Sequence, residues 1–124
     1  MTDKLELLSP AGDMERLTMD IAYGADAVYL AGRRFGMRAS AVNFSDEELV
    51  RAVETAHASG VRVYVTCNTL PREDELTELP EYLGILQEAG ADALIIADLG
   101  VLELAKKYAP RMKKHVSTQL GVIN

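Results

Sequence analysis

Cysteine is almost absent from this chain of 124 residues, and the one present, Cys67, has no partner for an intramolecular disulfide. That fits a reducing, cytoplasmic compartment and argues against a closed zinc site built from this chain alone. Long apolar runs are missing too. The longest, such as Ala93–Ala97, are far too short to span a bilayer, so no membrane partner is expected. The opening residues Met1–Leu8 carry Asp3 and Glu6 and lack a basic stretch followed by an apolar one, so they do not read as a signal peptide. Positive charge is in deficit. Thirteen basic residues against nineteen acidic ones leave a formal charge of −6, and the surface as a whole should not attract nucleic acid. No HExxH, CxxC or paired metal-ligand spacing occurs, and no metal site is expected.

What is present is a weak internal repeat. Gly24-Ala25-Asp26-Ala27-Val28-Tyr29-Leu30 resembles Gly90-Ala91-Asp92-Ala93-Leu94-Ile95-Ile96, with Gly60-Val61-Arg62-Val63-Tyr64-Val65-Thr66 between them. The glycines are 36 and 30 residues apart, the length of one βα unit. Each follows an amphipathic stretch: Leu17, Ile21 and Ala22; Leu49, Val50, Val53 and Ala56; Leu76, Leu79, Leu83 and Leu86. A glycine there can adopt positive φ and satisfy the last helix carbonyls. Ser45-Asp46-Glu47-Glu48 is a capping box. Pro80 either starts the third helix or kinks it.

The pattern predicts strands at 5–8, 26–30, 61–66, 92–97 and 114–117. Helices are expected at 13–23, 46–59, 75–89 and 99–108. Strands alternating with helices imply a parallel sheet with right-handed crossovers. Ser9-Pro10-Ala11-Gly12-Asp13 has one glycine and no dinucleotide fingerprint, which favours a TIM-type (β/α) barrel over a doubly wound sheet. Such a barrel has eight strands, so residues 1–124 read as one domain, the N-terminal half-barrel of a longer chain cut to about four and a half βα units.

In parallel α/β folds, functional groups collect at the C-terminal ends of strands. Those positions carry Ser9–Asp13, the long segment Ala31–Phe44, Cys67-Asn68-Thr69, Asp98, and Ser117-Thr118-Gln119. Arg33, Arg34 and Arg38 offer planar donors for carboxylate or phosphate, with Arg38 the first choice. Asp98 suits a general base and equally an N-cap. Asn68 and Gln119 suit substrate orientation or loop satisfaction. Cys67 needs a base to act as a nucleophile. His57 is expected at the opposite end of the barrel and His115 below the rim, so Cys67 reads as a buried apolar residue.

Five motifs in order resemble the peptidase U32 family, the collagenase-like proteases. They are Glu6–Asp13; Gly24–Leu30 running into Phe35–Ala39 and Asn43-Phe44; Val63–Thr69; Ala91–Gly100; and Ser117–Gln119. The resemblance implies a hydrolase acting on peptides. It equally implies a relative that hydroxylates transfer-RNA or ribosomal-RNA bases, or the ubiquinone ring, with an iron–sulfur cluster on later cysteines that are absent here. Carried over by motif are Gly12, Arg38, Asn43, Asn68, Asp98, Thr118 and Gln119 as barrel-mouth residues. Asp98 is the catalytic candidate and the others are substrate contacts, for RNA or peptide. No cofactor is expected on this fragment itself. A third reading is an inert half-barrel that forms homo-oligomers through its open interior or its sheet edges.

Overall fold

A computed structural model describes residues 7–32, 44–67 and 78–116. Five strands alternate with four helices: β1 (Leu8–Pro10), α1 (Met14–Ala22), β2 (Ala27–Ala31), α2 (Asp46–Ala58), β3 (Arg62–Cys67), α3 (Leu79–Ala89), β4 (Ala93–Ile96), α4 (Leu99–Tyr108) and β5 (Lys113–Val116). All neighbouring strands pair in parallel, in the order β1-β2-β3-β4-β5. A doubly wound sheet reverses its order at a switch point. This one advances one strand at a time in one direction, which is the winding of a (β/α) barrel.

The register sorts each strand into two faces, because side chains alternate. One face carries Val28 and Leu30, Val63, Val65 and Cys67, and Leu94 and Ile96. It packs against Leu17 of α1, Leu49 and Val53 of α2, Leu83 and Leu86 of α3, and Val101 and Ala105 of α4, forming one core. The opposite, inner face carries the rows Pro10–Tyr29–Tyr64–Ala93–Lys113 and Ala31–Thr66–Ile95–His115. Successive helices pack side by side across the outer face.

Local signals explain the element ends. Asp13 caps α1 by accepting the Arg16 N–H at 2.8 Å. Ser45 and Glu48 close the expected capping box at 3.2 and 2.9 Å. Gly24, Gly60 and Gly90 have φ of 91°, 73° and 91°, the left-handed conformation the repeat required. Pro80 sits in the first turn of α3, where its missing N–H costs nothing, so the helix starts there and does not kink.

Several strands run one to three residues later than expected: β1 occupies Leu8–Pro10, where the pattern suggested 5–8. The apolar pattern marks where a strand is buried, whereas the ladder continues into the polar residues beyond. Ala22, expected to share the face of Leu17 and Ile21, is exposed at the last residue of α1. Among the described residues, no helix is long and apolar enough to cross a membrane.

Candidate functional site

The C-terminal ends of β1, β2, β3 and β4 open on one side of the sheet. Gly12 lies there, exposed, in the turn between β1 and α1. A Cβ built on it meets nothing within 4 Å, so the described residues impose no steric need for glycine.

Asp98 lies at the end of β4 and caps α4, its Oδ2 accepting the Val101 N–H at 2.9 Å. The carboxylate is half-buried. Gly100 leaves room for it: a Cβ there would lie 2.9 Å from Asp98 Oδ2. The cap and the candidate catalytic group are thus one residue, with a fixed orientation set by the helix start.

Cys67 ends β3 on the helix-facing side, fully buried. Burial, and then the negative charge of Asp98, push its thiol from 9.0 up to about 12. A thiol of that kind stays protonated at neutral pH and is no nucleophile. An iron–sulfur cluster needs several thiolates. The chain's single cysteine points away from the inner face and holds its proton, so the residues of this chain do not fit such a group.

The long segment between β2 and α2 starts and returns at the same end. Gly32 forms a parallel bridge with Phe44, and the Phe44 N–H donates to the Ala31 carbonyl at 3.0 Å. Phe44 is buried. A Cβ on Gly32 would overlap the Tyr82 hydroxyl and lie 3.1 Å from Leu49, so a side chain there would have to displace Tyr82 of α3 and crowd Leu49 of α2. The segment enclosed by this bridge carries Arg33, Arg34, Arg38 and Asn43. Those four, with Asn68, Thr118 and Gln119, lie outside the described residues. The structure therefore brings Gly12 and Asp98 to one end of the sheet, together with the two anchors of the arginine-bearing segment.

At the other end is an arrangement that reasoning from the sequence missed. His57 Nε2 lies 2.7 Å from Asp92 Oδ2, and that oxygen also accepts the Val63 N–H at 2.7 Å. Asp26 treats Leu7 alike, accepting its N–H at 2.8 Å. The signal was available, because both aspartates occupy the same place in the glycine-led repeat.

Comparison with known proteins joins this geometry to a family. The model described as "Peptidase family U32" matches residues 12–124. The chain belongs to peptidase family U32. A solved U32 peptidase structure superposes with a TM-score of 0.70 at 16% identity, covering 94% of this chain and 50% of that one, and so shares the fold. Among curated relatives of this U32 chain, a "tRNA hydroxylation protein P1" of Bacillus subtilis is 39% identical over the whole chain and 29% of its own length. The "23S rRNA 5-hydroxycytidine C2501 synthase" of Escherichia coli is 41% identical over 96% of the chain and 18% of its own length. An uncharacterized protease of Methanocaldococcus jannaschii is 42% identical over 97% of the chain and 29% of its own. The U32 chain spans less than a third of the length of these relatives.

Proposed function

We propose that this chain is the N-terminal half-barrel of an RNA hydroxylation protein, and that it contributes substrate contacts without being a complete catalyst. The observation that carries this reading is the 39% identity, over the whole chain, to a tRNA hydroxylation protein. The rRNA hydroxycytidine synthase supports it at similar identity.

The geometry supplies roles. Asp98 is a fixed carboxylate at the mouth, suited to accept a proton or orient a base edge. Gly12, after β1, lies at the same end of the sheet. Arg38, with Arg33 and Arg34, belongs to the segment anchored at that mouth by Gly32 and Phe44, and bidentate guanidinium donors suit RNA phosphates. Asn43, Asn68, Thr118 and Gln119 are the neutral contacts in this reading. A redox group would have to come from outside these residues.

The test is nucleoside mass spectrometry on RNA from cells lacking the full-length gene. Loss of a hydroxylated pyrimidine, restored by the intact gene and not by its Arg38→Ala variant, is the expected result. Unchanged RNA nucleosides, together with cleavage of denatured collagen by the purified full-length protein, would overturn it in favour of peptide hydrolysis.

A further inference from the structure

The turn from α4 into β5 concentrates positive charge in an acidic chain. Five of the thirteen basic residues stand between Lys106 and Lys114, with no acidic residue among them. The other eight share the rest of the chain with all nineteen acidic residues. The surface as a whole repels polyanions, and this turn does the opposite.

The turn is held from beneath. Ala109 and Met112 are buried, and the Met112 N–H donates to the Ala109 carbonyl at 3.2 Å. Lys114 Nζ donates to the same carbonyl. Gln87 of α3 accepts the Arg111 N–H at 2.9 Å. These contacts use the backbone and Lys114, and they leave Lys106, Lys107, Arg111 and Lys113 exposed. Lys106 reaches Glu103 at 3.7 Å, but both side chains are mostly in water, so the pair is weak. Among the described residues, no carboxylate lies within ion-pair distance of Lys107, Arg111 or Lys113. Burial, and then the charge of Lys106, lower the Lys114 ammonium below its ordinary 10.5, so the cations stand close enough to repel one another. Cations in the last turn of a helix answer its dipole, which accounts for Lys106 and Lys107. It does not account for Arg111 and Lys113, which follow the helix.

An aromatic ring stands among these charges. Tyr108 is 36% exposed, and Lys107 Nζ lies 5.3 Å from its ring centroid. That contact leaves the ammonium's N–H donors for an anion. Cations that track a phosphate backbone beside an aromatic ring that stacks a base are the parts of a single-strand nucleic-acid surface.

We propose that the exposed face of the α4–β5 turn binds the backbone of an RNA, with Lys107 and Arg111 on phosphates and Tyr108 against a base. This rests on the RNA reading above and adds a contact away from the reacting base. Asp98 begins α4 and the turn ends it, so the ten residues of the helix set the two about 15 Å apart. A few nucleotides of one strand cover that distance.

The test is fluorescence anisotropy of end-labelled transfer RNA with the full-length protein across a salt series. Lys107→Gln and Arg111→Gln, both at exposed side chains, should each make the log–log salt slope shallower by about one, with weaker binding at low salt. Tyr108→Ala should weaken RNA binding about fivefold or more, the loss of one stacked base, and leave the slope alone. Labelled polyglutamate is the control polyanion. Slopes unchanged in both charge variants would overturn the proposal. So would polyglutamate bound as tightly as RNA and weakened by the same variants, which would make the partner an acidic protein. Hydroxynucleoside analysis of RNA from cells carrying these variants keeps the two readings apart. Unchanged slopes in a protein that hydroxylates RNA remove the patch alone; altered slopes in a protein that hydroxylates nothing remove the hydroxylation reading alone.

Discussion

His57 and Asp92 meet at 2.7 Å across the base of the sheet, and the same Asp92 oxygen closes on the Val63 N–H. The Asp92 N–H in turn donates to the Val63 carbonyl at 2.9 Å, so one aspartate grips both polar groups of the neighbouring residue. Asp26 grips Leu7 in the same way, at 2.8 and 2.9 Å. Each clasp fixes where one strand enters the sheet beside the previous one, and with it the register of the pair. Contacts at this end of a barrel, away from the strand ends that carry function, serve stability.

Replacing Asp92 with alanine should therefore lower stability by about 1.5–3 kcal/mol, the range for a hydrogen bond to a charged group. His57→Ala should cost less, below about 1 kcal/mol, because its side chain is 40% exposed and the pair is screened. Urea denaturation of the two variants measures the order. A larger loss for His57→Ala would mean that the ion pair, and not the backbone grip, holds the strands.

Cys67 should be silent to thiol reagents in the native state. Burial and the charge of Asp98 raise its folded value to about 12 against an ordinary 9.0. The raised value means that stability is fully present below pH 9. It falls as pH rises from 9 towards about 12, because the unfolded chain releases the proton first. Unfolding curves of the parent should thus decline more steeply above pH 9 than those of Cys67→Ala. Parallel curves, or stoichiometric labelling at pH 7 without denaturant, would contradict this.

Two glycines should respond in opposite directions. Gly90 ends α3 at φ 91°, where an L side chain is strained, so Gly90→Ala should cost about 1–2 kcal/mol. Gly84 sits inside the same helix, and a Cβ there meets nothing within 4 Å. Gly84→Ala should stabilise by about 0.5–1 kcal/mol through helix propensity alone. Thermal unfolding of both reads the sign directly.

The fold was legible because its cues are local. The glycines at 24, 60 and 90 mark helix ends, Ser45–Glu48 marks a helix start, and Leu99–Tyr108 emerged with the bounds that its pattern predicted. Cys67 was readable as apolar because neither histidine could reach it. The Asp92–His57 contact was not readable, since the two are 35 positions apart and only the crossover brings them together. Nor was the bridge of Gly32 to Phe44, because nothing in a long segment without helical or strand periodicity says where it rejoins the sheet. The candidate site was legible as a set of positions at strand ends. Its chemistry was not, because an aspartate that caps a helix and one that moves a proton look alike in sequence.

Asp98 separates those two roles experimentally. Asn is as good an N-cap as Asp, so Asp98→Asn should leave stability within about 0.5 kcal/mol, while Asp98→Ala should lose about 1 kcal/mol. In the full-length protein, Asp98→Asn should nonetheless lower RNA hydroxylation at least about tenfold, the low end for loss of a positioned acid–base group. The hydroxynucleoside content of RNA from complemented cells measures this. Full activity in the Asn variant would leave Asp98 a helix cap and nothing more.

Strands β1 and β5 form the two edges of the described sheet. Leu8 and Val116 on them are 41% and 51% exposed. An open strand edge presents unpaired donors and acceptors beside apolar side chains, a template for another chain. We propose that the isolated chain self-associates through these edges. The inner faces are the poorer contact, because two copies meeting there would set Arg62 and Lys113 against their own kind. Light scattering should give a dimer or larger species, and Val116→Lys, which places charge on the β5 edge, should shift it towards monomer. A monodisperse monomer for the parent chain would refute edge pairing, and a dimer untouched by Val116→Lys but dispersed by Lys113→Glu would place the contact on the inner face instead.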